Sequence, residues 1–105
     1  MYKDLLPGGS VVQLNGVESK VMICGRIAVE ETSDEIYDYV GCVYPFGITA
    51  EDNLIFFDRD LIERVYFIGY QDEEELSYRN DFLDQLGELK VENGEIVPVE
   101  AEEQQ

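Results

Sequence analysis

The feature that most constrains this chain is a change of apolar period along its length. Up to about residue 70 the apolar residues come in short runs cut by turn-forming residues; beyond it they recur at every fourth position. Short bounded runs read as strands, whereas a four-residue spacing reads as one face of a helix. The first run is Ser10-Val11-Val12-Gln13-Leu14. It is followed by Asn15-Gly16, a dipeptide suited to a tight hairpin because both residues tolerate positive φ. A second strand follows from about Lys20 to Val29, with Val21, Ile23 and Ile27 as apolar positions and Gly25 as a candidate bulge. Glu30 to Glu35 is polar and reads as a loop. Ile36 to Tyr44 resumes strand character and is closed by Pro45-Phe46-Gly47. Leu54 to Phe57 and Val65 to Ile68 read as the fourth and fifth strands. Between them, Asp58 to Arg64 reads as one helical turn capped by Asp58.

The period then changes. Asp72 followed by Glu75 fits a capping box, and Glu73, Glu74 and Glu75 suit the positive end of a helix dipole. Tyr78, Phe82 and Leu86 form an apolar stripe widened by Leu83 and Leu89, and Gly87 marks the helix end. The fold class implied is α+β. A small twisted antiparallel sheet, an SH3-like barrel of about five strands, carries a C-terminal helix packed on it. An open antiparallel sheet with one covering helix is the alternative. Residues 1–90 read as one domain and residues 91–105 as a flexible acidic tail, although Val91, Ile96 and Val97 offer an edge strand. At 105 residues the chain fits one compact domain, and a chain this size buries roughly two-thirds of its unfolded surface.

Charge narrows the function. Twenty-four Asp and Glu face seven Lys and Arg, a formal net charge of -17. Such a surface repels the phosphates of nucleic acid and anionic lipid headgroups, so neither is an expected partner. A basic protein surface is its natural counterpart, while solubility alone also accounts for the charge. The opening MYKDLLPGGS lacks a basic stretch followed by an apolar one, and no window approaches a membrane span. The expected location is the cytoplasm.

Residue chemistry points away from catalysis. The chain has no histidine, which removes the commonest general base and most zinc sites. Cys24 and Cys42 lie in apolar runs without a nearby cation, so core packing is expected ahead of a disulfide or a reactive thiolate. The acidic runs do not match a calcium loop, and Pro7-Gly8-Gly9-Ser10 is a turn and not a phosphate cradle. No metal, cofactor or catalytic residue is expected. A carboxylate enzyme would need a deep pocket of converging acids. The distinctive segment is instead Tyr37-Asp38-Tyr39-Val40-Gly41-Cys42-Val43-Tyr44-Pro45-Phe46-Gly47. Tyrosines combine large contact area with a polar tip, which suits interfaces. Tyr37, Tyr39, Tyr44, Pro45, Phe46 and Tyr70 are therefore the candidate partner-binding residues. For Tyr37 and Tyr39, filling the barrel interior competes with that role.

The same residues carry a resemblance. The opening Tyr2 to Pro7 with Gly9-Ser10-Val11-Val12, then Val21 to Arg26, Tyr37 to Gly47 and Ile62 to Glu75, resemble in order and spacing a bacterial family known as domain of unknown function 4176. Together they span most of residues 2–86. Gly8, where a bulkier apolar residue is expected, departs from the pattern. The resemblance implies a Gram-positive source and genes near type VII secretion systems and LXG-type toxins. The implied role is handling a secretion substrate as an adaptor or chaperone, with a secreted toxin or its targeting domain as partner. It supplies no catalytic residues. An immunity protein that occludes a toxin site with its acidic surface is the second reading.

Overall fold

The structure, a computed structural model, describes residues 2–30, 32–50 and 53–99. Five strands form one antiparallel sheet: β1 (Val11–Leu14), β2 (Lys20–Glu30), β3 (Glu35–Val43), β4 (Ile55–Phe57) and β5 (Ile62–Phe67). Their spatial order is β4-β3-β2-β1-β5. The first four strands thus form a meander, and β5 returns to the far side of β1. A 3-10 turn over Arg59–Leu61 joins β4 to β5. The arrangement is the α+β globule expected, and its strand order is consistent with an SH3-like barrel.

Several local devices bend the sheet. The register between β2 and β3 shifts between Ile23 and Gly25, so a bulge falls at Cys24-Gly25 as the glycine signalled. Gly41 allows β3 to sit close on β2. A Cβ there would lie 2.7 Å from the Met22 carbonyl oxygen and 2.8 Å from Val21 Cγ1. Buried Ser10 ties the sheet's open side together. Its hydroxyl donates to the Pro7 carbonyl at 2.7 Å and accepts from the Gly69 N–H at 2.9 Å. The start of β1 is thereby fastened to the chain leaving β5.

The core lies on one face of the sheet. Leu5, Val12, Leu14, Val21, Ile23, Tyr39 and Phe57 form its buried cluster. Alternation explains the selection, because Val12 and Leu14 on β1 point inward while Val11 and Gln13 point outward. Leu5 and Pro7 are buried too, so the lead-in is part of the core.

The Asn15-Gly16 turn forms, with Gly16 at φ 83°, but the connection extends to Ser19 and is longer than a two-residue hairpin. Asp58 does not cap the following turn with its side chain. Its carboxylate accepts from the Asp38 N–H at 3.0 Å instead, and Ile62 to Arg64 belong to β5.

After β5, α1 (Glu73–Ser77) is one short α-helical turn, continued by a π-helical segment over Tyr78–Phe82 and a 3-10 turn over Leu83–Gln85. Asp72 caps it by accepting from the Glu75 N–H at 3.1 Å. Only half of the expected capping box exists. Glu75 reaches across to Arg26 on β2 in a bidentate pair at 2.7 and 2.8 Å. Leu83 is the stripe residue that is fully buried, whereas Tyr78 and Phe82 remain half-exposed and stack on each other at 5.3 Å. In the segment read as tail, β6 (Leu89–Glu92) and β7 (Glu95–Pro98) pair as a separate hairpin through a turn at Asn93-Gly94. The strand residues Val91, Ile96 and Val97 were legible, but they pair within this hairpin and not with the main sheet. Residues 100–105 lie outside the described residues.

Candidate functional site

The six candidate contact residues do not share one environment. Tyr39 is 1% exposed and belongs to the core. Its hydroxyl accepts the Leu6 N–H at 2.8 Å, its ring packs on Phe57 at 5.2 Å, and burial raises its pKa. A side chain so enclosed cannot meet a partner, and its place in the candidate set is corrected. Tyr37 is half-buried, leans on Phe56 at 5.9 Å, and donates its hydroxyl to Glu35 at 2.9 Å. Between them Asp38 turns to Arg59, accepting from its backbone N–H at 2.9 Å and its Nε at 3.0 Å.

Tyr44, Pro45 and Phe46 lie at the end of β3 and are exposed, Phe46 to 77%. Phe46 lines a shallow groove of about 410 Å³ with Val43, Leu54 and Ile55. Tyr70 is 80% exposed just beyond β5. Of the six, only Tyr44 is brought against a larger apolar face.

That face is the outer side of the sheet toward β5. Paired positions place Phe67, Val11, Met22 and Cys42 in one row across four strands. A second row joins Lys20 on β2, Gln13 on β1 and Arg64 on β5. Gly9, Val11, Lys20, Met22, Tyr44, Tyr66 and Phe67 enclose a groove of about 410 Å³ here. Phe67 is 60% exposed, and Val65, Tyr66 and Ile68 are exposed beside it.

β5 is also an edge strand. It pairs with β1 alone, so its outer backbone groups have no strand partner among the described residues. Edge strands in native proteins are usually short, charged or covered. This one runs Val65-Tyr66-Phe67-Ile68 with both faces open.

Electrostatics single out the same place. Arg26 and Arg79 pair with Glu75, Arg59 with Asp38, and Lys90 with Glu92. Lys20 and Arg64 make no ion pair among the described residues. They lie over the Tyr66 ring, at 4.8 and 4.9 Å from its centroid. Tyr66 in turn donates its hydroxyl to Gln13 at 3.3 Å. The sequence reading missed Met22, Lys20, Arg64, Tyr66 and Phe67 as surface residues. Val65 to Ile68 read as the fifth strand, and only its position at the edge of the sheet shows how exposed it is.

A third groove, also about 410 Å³, lies between Arg26, Ile27, Tyr78, Phe82, Leu86 and the β6-β7 hairpin. Its one charged residue, Arg26, is held by Glu75. Among the described residues there is no group of three or more His, Cys, Asp or Glu that could hold a metal ion, and no helix long and apolar enough to cross a membrane.

A family model described as domain of unknown function (DUF4176) matches residues 5–78. The match takes in all five strands of the main sheet and the Asp72 cap, and ends before Phe82 and the β6-β7 hairpin. No curated protein matches the chain, and no solved structure does.

Proposed function

The chain belongs to the DUF4176 family of domains of unknown function, and from that premise we propose that it is a non-enzymatic protein-binding module, an adaptor or chaperone for a type VII secretion effector of the LXG class. The observation that carries the reading is the apolar face along β5. Val65, Tyr66, Phe67 and Ile68 are exposed together on an unpaired edge, next to the groove lined by Met22 and Tyr44. Exposed apolar surface of this kind, rimmed by polar groups, marks an interaction site. Aromatic anchors at its centre are the residue types that dominate binding energy.

The partner's long helical targeting domain would lay an apolar stripe along this face. Lys20 and Arg64 would meet carboxylates at its rim, and the remaining negative surface would steer basic segments during encounter. Both contributions favour a polypeptide over a small molecule.

The test is co-purification with the N-terminal targeting domain of an LXG-class toxin. Phe67→Asp and Tyr66→Ala are each expected to weaken the complex at least about tenfold, a loss of about 1.4 kcal/mol. Tyr70→Ala, beyond the groove, is expected to cost less. No complex at low salt and micromolar concentration would defeat the proposal. Binding to the toxic C-terminal domain, with protection of growth by this protein alone, would establish the immunity role instead.

A further inference from the structure

The two cysteines, expected to pack in the core ahead of any disulfide, are brought into contact. Cys42 on β3 is fully buried and Cys24 on β2 is exposed. Their Sγ atoms lie 3.3 Å apart, one thiol donating to the other. A β-bulge lies at this contact. Cys42 faces Met22 in the register, and Cys24 would otherwise be its diagonal neighbour. The extra residue at Cys24-Gly25 falls beside this pair, where a bulge increases the local twist. Both sulfurs approach the Met22 carbonyl oxygen, at 3.6 and 3.9 Å.

We propose that Cys24 and Cys42 form a redox-responsive dithiol that closes to a cross-strand disulfide when the protein meets a small-molecule disulfide. The argument rests on position. Cys24 can be reached by an oxidant from solvent, and Cys42 cannot. Cys42 is already beside the sulfur it must attack, so the second step is intramolecular.

The exchange proceeds in two steps. Cys24 loses its proton to solvent and attacks one sulfur of the oxidant, R–S–S–R. A bond forms between Cys24 Sγ and that sulfur, the oxidant's S–S bond breaks, and one R–S⁻ leaves with the electron pair and takes up a proton. Cys42 then loses its proton and attacks Cys24 Sγ. The Cys24–Cys42 bond forms, the mixed disulfide breaks, and a second R–SH leaves. The protein loses two protons and two electrons, and the oxidant is reduced to two thiols. The Cys24 thiol is pushed up to about 11 by partial burial of its sulfur and by the hydrogen bond to Cys42. The thiolate is therefore scarce near neutrality, and the first step is the slow one.

The experiment incubates the folded, full-length protein with oxidised glutathione at mildly alkaline pH until reaction stops, then alkylates under denaturing conditions and weighs the intact chain. The expected product has lost two hydrogens, carries no glutathione and takes no alkyl group. Cys42→Ser is expected to stop at one glutathionyl group on Cys24. Cys24→Ser is expected to remain unmodified while folded, because Cys42 is enclosed. A wild-type end product that retains glutathione, that links two chains, or that still takes two alkyl groups would overturn the proposal. Retention of glutathione on folded Cys24→Ser would overturn the assignment of Cys24 as the entry thiol.

Discussion

At the scale of single residues, two polar groups inside the fold decide more than their size suggests. Ser10 is completely buried and satisfies the Gly69 N–H. No other residue can replace the glycine, because a Cβ there would collide with the Gly8 carbonyl oxygen. Ser10→Ala leaves a buried donor without an acceptor, which costs about 1–3 kcal/mol. Chemical denaturation should show that loss, with no change in the slope of the transition. Tyr39 behaves similarly, since its hydroxyl accepts the Leu6 N–H. Tyr39→Phe should cost about 1–2 kcal/mol yet leave partner affinity unchanged. A fall in affinity with stability preserved would return Tyr39 to the contact surface. The sequence marked both tyrosines of the Tyr37-Asp38-Tyr39 segment as large and amphipathic. It could not say which would be enclosed, because that depends on Phe57 and Leu6 arriving from distant parts of the chain. Cys24 and Cys42 show the same limit. Their runs are legible as strands, but their contact depends on a register that spacing alone does not specify.

At the scale of elements, several strands were legible because residues that limit the backbone bound them. Gly16, Gly47 and the Pro7-Gly8-Gly9 run all sit at turns, with Gly9, Gly16 and Gly47 at positive φ. The helix was less legible. Its cap is correct at Asp72, but the four-residue spacing continues into a π segment and a 3-10 turn instead of a regular helix. What fixes it to the sheet is Glu75, which bonds Arg26 at 2.7 Å and Arg79 at 3.3 Å. Arg26 also lies over the Tyr78 ring at 4.8 Å, so one guanidinium joins β2 to both parts of the helix. Capping-box logic assigned the Glu75 carboxylate to its own helix, and only the tertiary placement of Arg26 redirects it. The hydrogen bonds from Arg26 hold its carboxyl below the ordinary value of 4.5, against a smaller opposing effect of burial. A carboxyl depressed in the folded state contributes stability that is fully present above its unfolded value and is lost as pH falls through its folded value. Glu75→Gln should therefore cost about 1–3 kcal/mol near neutrality. It should also remove part of the stability loss seen below pH 4.5. Unfolding curves for both proteins across that acid range check the sign, and parallel pH dependences would show that the clamp contributes nothing. Arg26→Met combined with Glu75→Gln should cost less than the sum of the two single changes.

At the scale of the whole molecule, net charge was the most legible property and its distribution the least. The -17 total is plain from composition. That Lys20 and Arg64 would gather at Tyr66, while Arg26, Arg59, Arg79 and Lys90 face carboxylates, follows only from the topology that brings β5 beside β1. The size of the molecule decides how the surplus acts. Its principal extents are 44 × 34 × 22 Å. At about 0.01 M ionic strength the screening length is about 30 Å, so a carboxylate is felt across much of the molecule, whereas at about 0.15 M it is about 8 Å and repulsion becomes local. Self-repulsion of this kind opposes the compact state. The close pairs at Glu75 and Asp38 are partly enclosed and respond less to salt. The thermal midpoint should therefore rise as sodium chloride is raised between those two concentrations. Relief of about 1 kcal/mol corresponds to roughly 4–8 °C for a domain of about this size. Scanning calorimetry over a salt series measures the shift directly. A midpoint that fell with added salt would mean that the ion pairs outweigh the repulsion, and the acidic surface would then be part of what holds the sheet and helix together.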